Sequence, residues 1–371
     1  MKLLVLSANT GQGHNSCASA LREAASLCGC QCDITDVFAL VSQRLSRMIA
    51  RSHDRTYRKR PGRSDAGYRF LEKHPRLFAP RHLIYRVMSL GSKAVGRCIR
   101  QGGYDGVFCT HVLAAMILTS ALQKEKLSPC SAFVATDYSC TPGVNGTDLE
   151  LYFIPHPSLT EDFLSAGIDE EKLRPYGIPV RAAFVPVADK RHAKVSVGLS
   201  PECRHLLVVC GSMGCGPVAE ILRMIVPSLP PAWEITVVCG TNEELRRALK
   251  QEYAFQSRVH IRGFEQNMPG LLAASDLFLT KPGGLSTSEA MAAAVPMVFV
   301  NAVAGCESGN LRYFTNQGMA VSGDTPREVA DACIGLMNHP SRLDAMAQTL
   351  LRDAKGSAAL SIVQEMKKAI G

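Results

Sequence analysis

The stretch Lys281-Pro282-Gly283-Gly284-Leu285-Ser286-Thr287-Ser288-Glu289 narrows the folds open to this chain more than any other. The apolar run Asp276-Leu277-Phe278-Leu279-Thr280 precedes it. A short, turn-bounded run of this kind reads as a buried parallel strand. The alanine-rich Ala290-Met291-Ala292-Ala293-Ala294 that follows is strongly helix-forming. Strand, Gly-Gly turn and helix start together describe the carboxyl edge of an open α/β sheet, where ligands sit. The glycines let a ligand approach the backbone, and the new helix offers unpaired N–H groups to an anion. Glu289 is expected in the first helical turn, accepting hydrogen bonds from vicinal hydroxyls such as those of a ribose. A plainer description fits the same residues: Ser286-x-x-Glu289 is a capping box and Gly-Gly an ordinary turn.

At 371 residues the chain is long enough for two domains. No apolar run reaches membrane-spanning length, and the opening Met1-to-Ser7 segment reads as a short strand rather than a signal peptide. The fourteen cysteines are scattered through apolar segments, as free thiols are in a reducing cytosol. The Cys28-x-Cys30-x-Cys32 cluster lacks a second ligand pair at zinc-like spacing, so no metal is expected.

Charge is one-sided. Segment 41–100 holds sixteen Lys and Arg against Asp54, Asp65 and Glu72, whereas the chain as a whole is only +8. The remainder is therefore net acidic. A basic block of this kind predicts an anionic partner surface. Tyr68, Phe70, Leu71, Leu77, Phe78, Leu83, Ile84, Tyr85, Val87 and Met88 interleave with the charges, as in an amphipathic helix pair lying on a membrane. The plainer alternative is a solvated face packed on its domain. No nucleic-acid motif accompanies the charge, so nucleic acid is not an expected partner.

Along the chain, strands and helices alternate. Lys2–Ala8 is a strand, and Asn9-Thr10-Gly11-Gln12-Gly13-His14 is a glycine-rich turn into a helix. No third glycine follows at dinucleotide spacing, which argues against NAD. His14 is left at a helix start on a sheet edge, as a general base on a hydroxyl or as a packing residue. Strands at Gln31–Val37, Asp105–His111, Ser131–Asp137 and Leu151–Pro155 complete a first doubly wound domain over 1–180. Val180–His205, with its prolines and charges, reads as a linker. Leu207–Cys210 then leads into a second glycine-rich turn, Gly211-Ser212-Met213-Gly214-Cys215-Gly216. Strands at Ile235–Cys239, Val259–Gly263, Asp276–Thr280, Met297–Val300 and Met319–Ser322 build a second domain over 181–371, whose terminal helix is free to pack back on the first. Two such domains facing across a cleft suit a two-substrate transferase.

Gly11-x-Gly13-His14, Thr136-Asp137, Gly177-Ile178-Pro179-Val180, Gly263-Phe264-x-x-Asn267-Met268-Pro269 and Lys281-Pro-Gly-Gly-Leu-Ser-x-Ser-Glu289 resemble the glycolipid-making GT-B glycosyltransferases. Among them are the monogalactosyldiacylglycerol synthases and the processive diacylglycerol glucosyltransferases. The resemblance implies a GT-B fold and inverting, metal-independent transfer of a hexose from a UDP-sugar to a diacylglycerol-type lipid. It implies no cofactor beyond the donor. It makes His14 the base, next to Gly13, and Gly211, Ser212, Gly214, Gly283 and Gly284 the diphosphate cradle. Gly263 and Phe264 match the uracil site and Glu289 the ribose carboxylate. Lys281 and Ser286 belong to the same donor motif, and Glu307 and Asn310 match the family pattern. The chain departs from the family at Thr141 and Val144, where a His and a Trp are usual, and at Cys306, where a Gln is usual. The expected place of work is the inner face of the cell membrane, reached as a peripheral protein through the basic segment. UDP-sugar epimerisation and non-enzymatic nucleotide-sugar sensing remain open as alternatives.

Overall fold

The structure is a computed structural model and describes residues 1–9, 12–44, 46–49, 74–78, 82–300, 305–354 and 356–371. The chain divides into two compact units. One is chiefly Met1–Ala182 with Ser357–Gly371, and the other Ala183–Val303 with Glu307–Gly356.

The first unit is a parallel six-stranded sheet. Its strands are β1 (Lys2–Ser7), β2 (Gln31–Asp36), β3 (Gly106–Cys109), β4 (Cys130–Val134), β5 (Leu151–Phe153) and β6 (Leu173–Arg174), in the order β2-β1-β3-β4-β5-β6. Leu3 to Leu6 are fully buried because helices cover both faces of a parallel sheet, which leaves no room for polar alternation. On one face Leu3, Val5, Phe108, Ala132, Val134 and Phe153 pack against α1 (Gln12–Leu27) and against the terminal helix Ala358–Ile370. That terminal helix inserts Ile362, Val363 and Met366 with no exposure, each contributing about 1.5–3 kcal/mol. Arg174 Nε donates to Glu365 at 2.8 Å and Lys367 donates to the Cys28 carbonyl at 2.9 Å, fixing its rim.

The described part of the basic segment divides its residues between core and surface. After α2 (Val37–Val41) come α3 (Leu83–Ser89) and α4 (Ser92–Gly102), with α5 (Val112–Glu125) following β3. In α4, Val95 and Ile99 are buried while Lys93, Arg97 and Arg100 point outward. Phe78 is 4 % exposed. These apolar residues are spent on the domain core, contrary to a helix pair wholly devoted to a membrane. Val87 and Leu90 stay exposed, at 48 % and 77 %. Residues 50–73 and 79–81, including Tyr68, Phe70 and Leu71, lie outside the described residues, as does Gly11. Among the described residues, no helix is long and apolar enough to cross a membrane.

The second unit is another parallel six-stranded sheet: β7 (Arg204–Val209), β8 (Trp233–Val238), β9 (Val259–Arg262), β10 (Leu277–Thr280), β11 (Met297–Phe299) and β12 (Ala320–Ser322). Its order is β12-β11-β10-β7-β8-β9. Side chains alternate between faces, so Leu206, Val208, Ile235, Val237, Leu277, Leu279 and Val298 share one core with Ile221, Leu222, Val329 and Cys333.

Val180–His205 is no linker. It contains a helix at Lys190–Ser196, capped by the Asp189 carboxylate, which accepts from Arg191 N at 2.9 Å. Lys194 is 6 % exposed and pairs with Asp276 at 2.9 Å, while Lys190 Nζ donates to the Ser275 carbonyl at 2.6 Å. The charges that look like a solvated connector are the anchors of a packed helix. Beside them His205 is buried between Ser275 and Thr236. Burial lowers its pKa to about 3, and the neutral ring bonds both hydroxyls.

Candidate active site

In open α/β sheets, ligands bind outside the carboxyl ends of the strands where the strand order reverses. The first unit reverses between β1 and β3. The segment after β1 leads into α1, which begins at Gln12 and carries Gly13 and His14 in its first turn. After β3 come Thr110 and His111. His14 Nδ1 lies 2.6 Å from the Thr110 carbonyl oxygen. A carbonyl only accepts, so Nδ1 carries the proton and Nε2 holds the basic lone pair. Thr136 Oγ1 stands 3.4 Å from the same Nδ1, which brings the Thr136-Asp137 segment to His14. The His111 ring meets the His14 ring edge-on at 4.7 Å, and its own Nδ1 accepts from Leu113 N at 3.1 Å to cap α5. An imidazole oriented through Nδ1 in this way can serve as a general base through its other nitrogen. In the loop that departs from the family pattern, Val144 is 1 % exposed, and it is core rather than a surface contact.

The second unit reverses between β7 and β10, and its two glycine-rich turns follow those two strands. After β10, the helix Gly284–Ala292 starts directly from Gly283, which supplies no side-chain cap. Glu289 therefore sits in the second turn, not the first, and Ser286 is not an N-cap. Gly283 and Ser286 both carry cap signals, and the glycine is the first of them met after β10 ends at Thr280. Thr287 and Ser288 are buried and donate back to the Gly284 carbonyl, at 3.0 and 2.7 Å. Among the described residues, the leading N–H groups of the Gly284–Ala292 helix have no capping side chain, and they stand at a sheet edge, the local chemistry of an anion site.

After β7, Gly211 and Gly214 take left-handed φ values of 73° and 56°. A Cβ on Gly214 would collide with the Cys239 carbonyl, and one on Gly240 with the Ser212 carbonyl, so the turns after β7 and β8 interlock through bare backbone. Asn242 Nδ2 donates to the Gly214 carbonyl at 3.0 Å, and Thr241 N donates to Ser212 O at 2.9 Å. Gly240 and Asn242 are supports that sequence reasoning missed; the Gly-Thr-Asn run closing β8 is the signal that marks them.

Lys281 joins the two turns. Its Cε lies 3.3 Å from where a Gly211 Cβ would be, and its ammonium pairs with Glu307 at 2.8 Å. Burial alone would lower the lysine pKa. The Glu307 carboxylate outweighs that, and the value is raised. Asn310 is fully buried and donates to the Pro282 carbonyl at 2.9 Å, which fixes the start of the turn. Gly263 follows β9, with Phe264 60 % exposed beside it. Asn267 caps the next helix through Gly270 N at 3.1 Å. The structure thus gathers Gly211, Ser212, Gly214, Lys281, Gly283, Gly284, Glu307 and Asn310 at the carboxyl edge of β7 and β10, with Gly263 and Phe264 following β9 and with Ser286 and Glu289 farther along the helix that starts at Gly284. Gly13 and His14 belong to the first unit.

Residues 14–180 match the family model described as monogalactosyldiacylglycerol (MGDG) synthase, and residues 204–339 match that of glycosyl transferases group 1. A processive diacylglycerol beta-glucosyltransferase of Staphylococcus epidermidis is 28% identical over 240 residues, covering 65% of this chain and 61% of that protein. The chain thus spans somewhat under two thirds of that relative's length. A probable monogalactosyldiacylglycerol synthase 2 of Oryza sativa subsp. japonica is 27% identical over 390 residues, covering 99% of this chain and 80% of that protein. Among solved structures, MurG of Acinetobacter baumannii superposes with a TM-score of 0.64 at 17% identity, covering 99% of each chain. That likeness speaks for the fold, which is GT-B.

Proposed function

We propose that this chain, whose residues 14–180 match the MGDG synthase family model and residues 204–339 that of glycosyl transferases group 1, is a GT-B glycosyltransferase that moves a hexose from a UDP-sugar to a diacylglycerol-type lipid. The observation that carries this reading is the Gly284–Ala292 helix at the β7/β10 reversal, which has no side-chain cap among the described residues and stands beside the bare-backbone turn and Lys281. In this reading the diphosphate rests on the N–H groups at Gly283, Gly284 and Ser286 and on the Gly211-Ser212-Gly214 turn. The base lies over Gly263 and Phe264, and Glu289 accepts from the ribose hydroxyls. Glu307 and Asn310 hold the sugar end in register.

His14 Nε2 takes the proton from the lipid hydroxyl as that oxygen attacks the anomeric carbon. The bond from that carbon to the diphosphate oxygen breaks, and one displacement inverts the configuration. The charge that develops on UDP meets the helix N–H groups and the Lys281 ammonium. In this reading the displacement uses no cofactor beyond the donor and no metal. The basic segment 41–100, with exposed Met48, Val87 and Leu90, seats the protein on anionic lipid at the inner face of the cell membrane.

The test is a donor panel. UDP-glucose, UDP-galactose, UDP-N-acetylglucosamine and UDP-glucuronate are each offered with diacylglycerol vesicles, and lipid products are read by mass spectrometry. The expected result is a glycolipid from one UDP-hexose. Conversion of the nucleotide sugar with no lipid product would point to epimerisation and reject the transferase reading.

A further inference from the structure

The mechanism leaves unused a continuous chain of polar side chains beside His14. Ser46 donates its hydroxyl hydrogen to Asp36 Oδ2. The same oxygen accepts from Asn9 Nδ2 at 2.9 Å. Asn9 Oδ1 accepts from Asn15 Nδ2 at 2.9 Å, and Asn15 Oδ1 accepts from Ser7 Oγ at 2.7 Å. The other Asp36 oxygen accepts from Phe38 N at 3.0 Å, capping α2. Asn9 and Asn15 therefore tie together the end of β1 and the first turn of α1, on either side of the connection that places His14. Asp36 is the charged member, and its hydrogen bonds are charge-assisted.

The far end of this chain reaches the surface. Ser46 is 5 % exposed, yet its helical turn, closed by Ser46 N donating to the Ser42 carbonyl at 3.1 Å, sends Arg44 and Arg47 outward and leaves Met48 62 % exposed. Two cations and an apolar side chain on one outward turn fit an anionic phospholipid surface.

We propose that Asp36 is a positioning residue linking the His14 turn to this lipid-facing turn. Seating Arg44, Arg47 and Met48 on anionic phospholipid holds Ser46 against Asp36, and Asp36 then holds Asn9 and Asn15. Docking and the placement of the base become one event. The role given to His14 rests on the transferase reading; the hydrogen-bonded link does not.

The test compares the full chain with Asp36→Ala and Asn9→Ala. The second variant severs the same link while leaving the α2 cap in place. Hydrogen exchange over residues 12–16 is measured with phosphatidylcholine vesicles, with and without phosphatidylglycerol. The wild-type chain is expected to exchange more slowly there on anionic vesicles, and both variants to lose that response. With whichever UDP-hexose supports transfer, kcat should fall about tenfold to a hundredfold while KM for the donor stays unchanged. Wild-type exchange that ignores anionic lipid, or an Asn9→Ala chain that responds as the wild type does, would overturn the proposal. A chain that transfers no hexose but shows the exchange response would reject the transferase reading and keep the link.

Discussion

Replacing His14 with alanine is expected to lower hexose transfer by about 10²–10⁴-fold, the usual contribution of a positioned general base. UDP binding should persist, because the groups proposed to hold the donor all lie in the second unit. The expectation rests on one geometric fact. The Thr110 carbonyl oxygen lies 2.6 Å from Nδ1 and orients its proton, so that Nε2 is the nitrogen able to act as base. Steady-state kinetics with saturating donor, together with UDP calorimetry on the same variant, checks both halves. Unchanged turnover would remove His14 from the mechanism, and a parallel loss of UDP affinity would mean that the residue supports the fold rather than the chemistry.

Lys281→Met is expected to destabilise the second unit by about 3–5 kcal/mol, because it removes the ammonium that pairs with the Glu307 carboxylate at 2.8 Å. Glu307 is 6 % exposed, so the lost pairing is poorly screened by solvent. Thermal unfolding should shift down by on the order of 10 °C. The double variant Lys281→Met with Glu307→Gln should recover most of that loss, since the other charge of the pair is removed as well. The two variants separate the pair's contribution to folding from its contribution to donor binding, which the double variant should still lack. A single variant as stable as the wild type would show that the pair is not the anchor of this turn.

Much of this architecture can be read from the residues. Runs such as Leu3–Leu6 and Leu277–Thr280 are continuous and apolar because both sheet faces are covered, and each is followed by glycine. Those runs place the strands, and the glycines place the ligand edges. What cannot be read is pairing over distance. Lys190 and Lys194 look solvated until Asp276 meets them. The segment's hydrophobic pattern likewise does not say that Val95 and Ile99 are spent on a core while Val87 and Leu90 are not. Glu289 lies one helical turn later than its capping-box spacing predicts, because two cap signals, Gly283 and Ser286, stand close together and only the first is used. Asp36, Asn9, Asn15 and Ser46 come from four separate places in the sequence, with no spacing to join them.

Calorimetric titration of UDP into the wild-type chain and into Glu289→Ala addresses the donor site without depending on the lipid or the sugar. The account predicts saturable binding to the wild type and at least about tenfold weaker binding to the variant, in keeping with the loss of a charge-assisted hydrogen bond. No heat with the wild type, or equal affinity in the two, would contradict it.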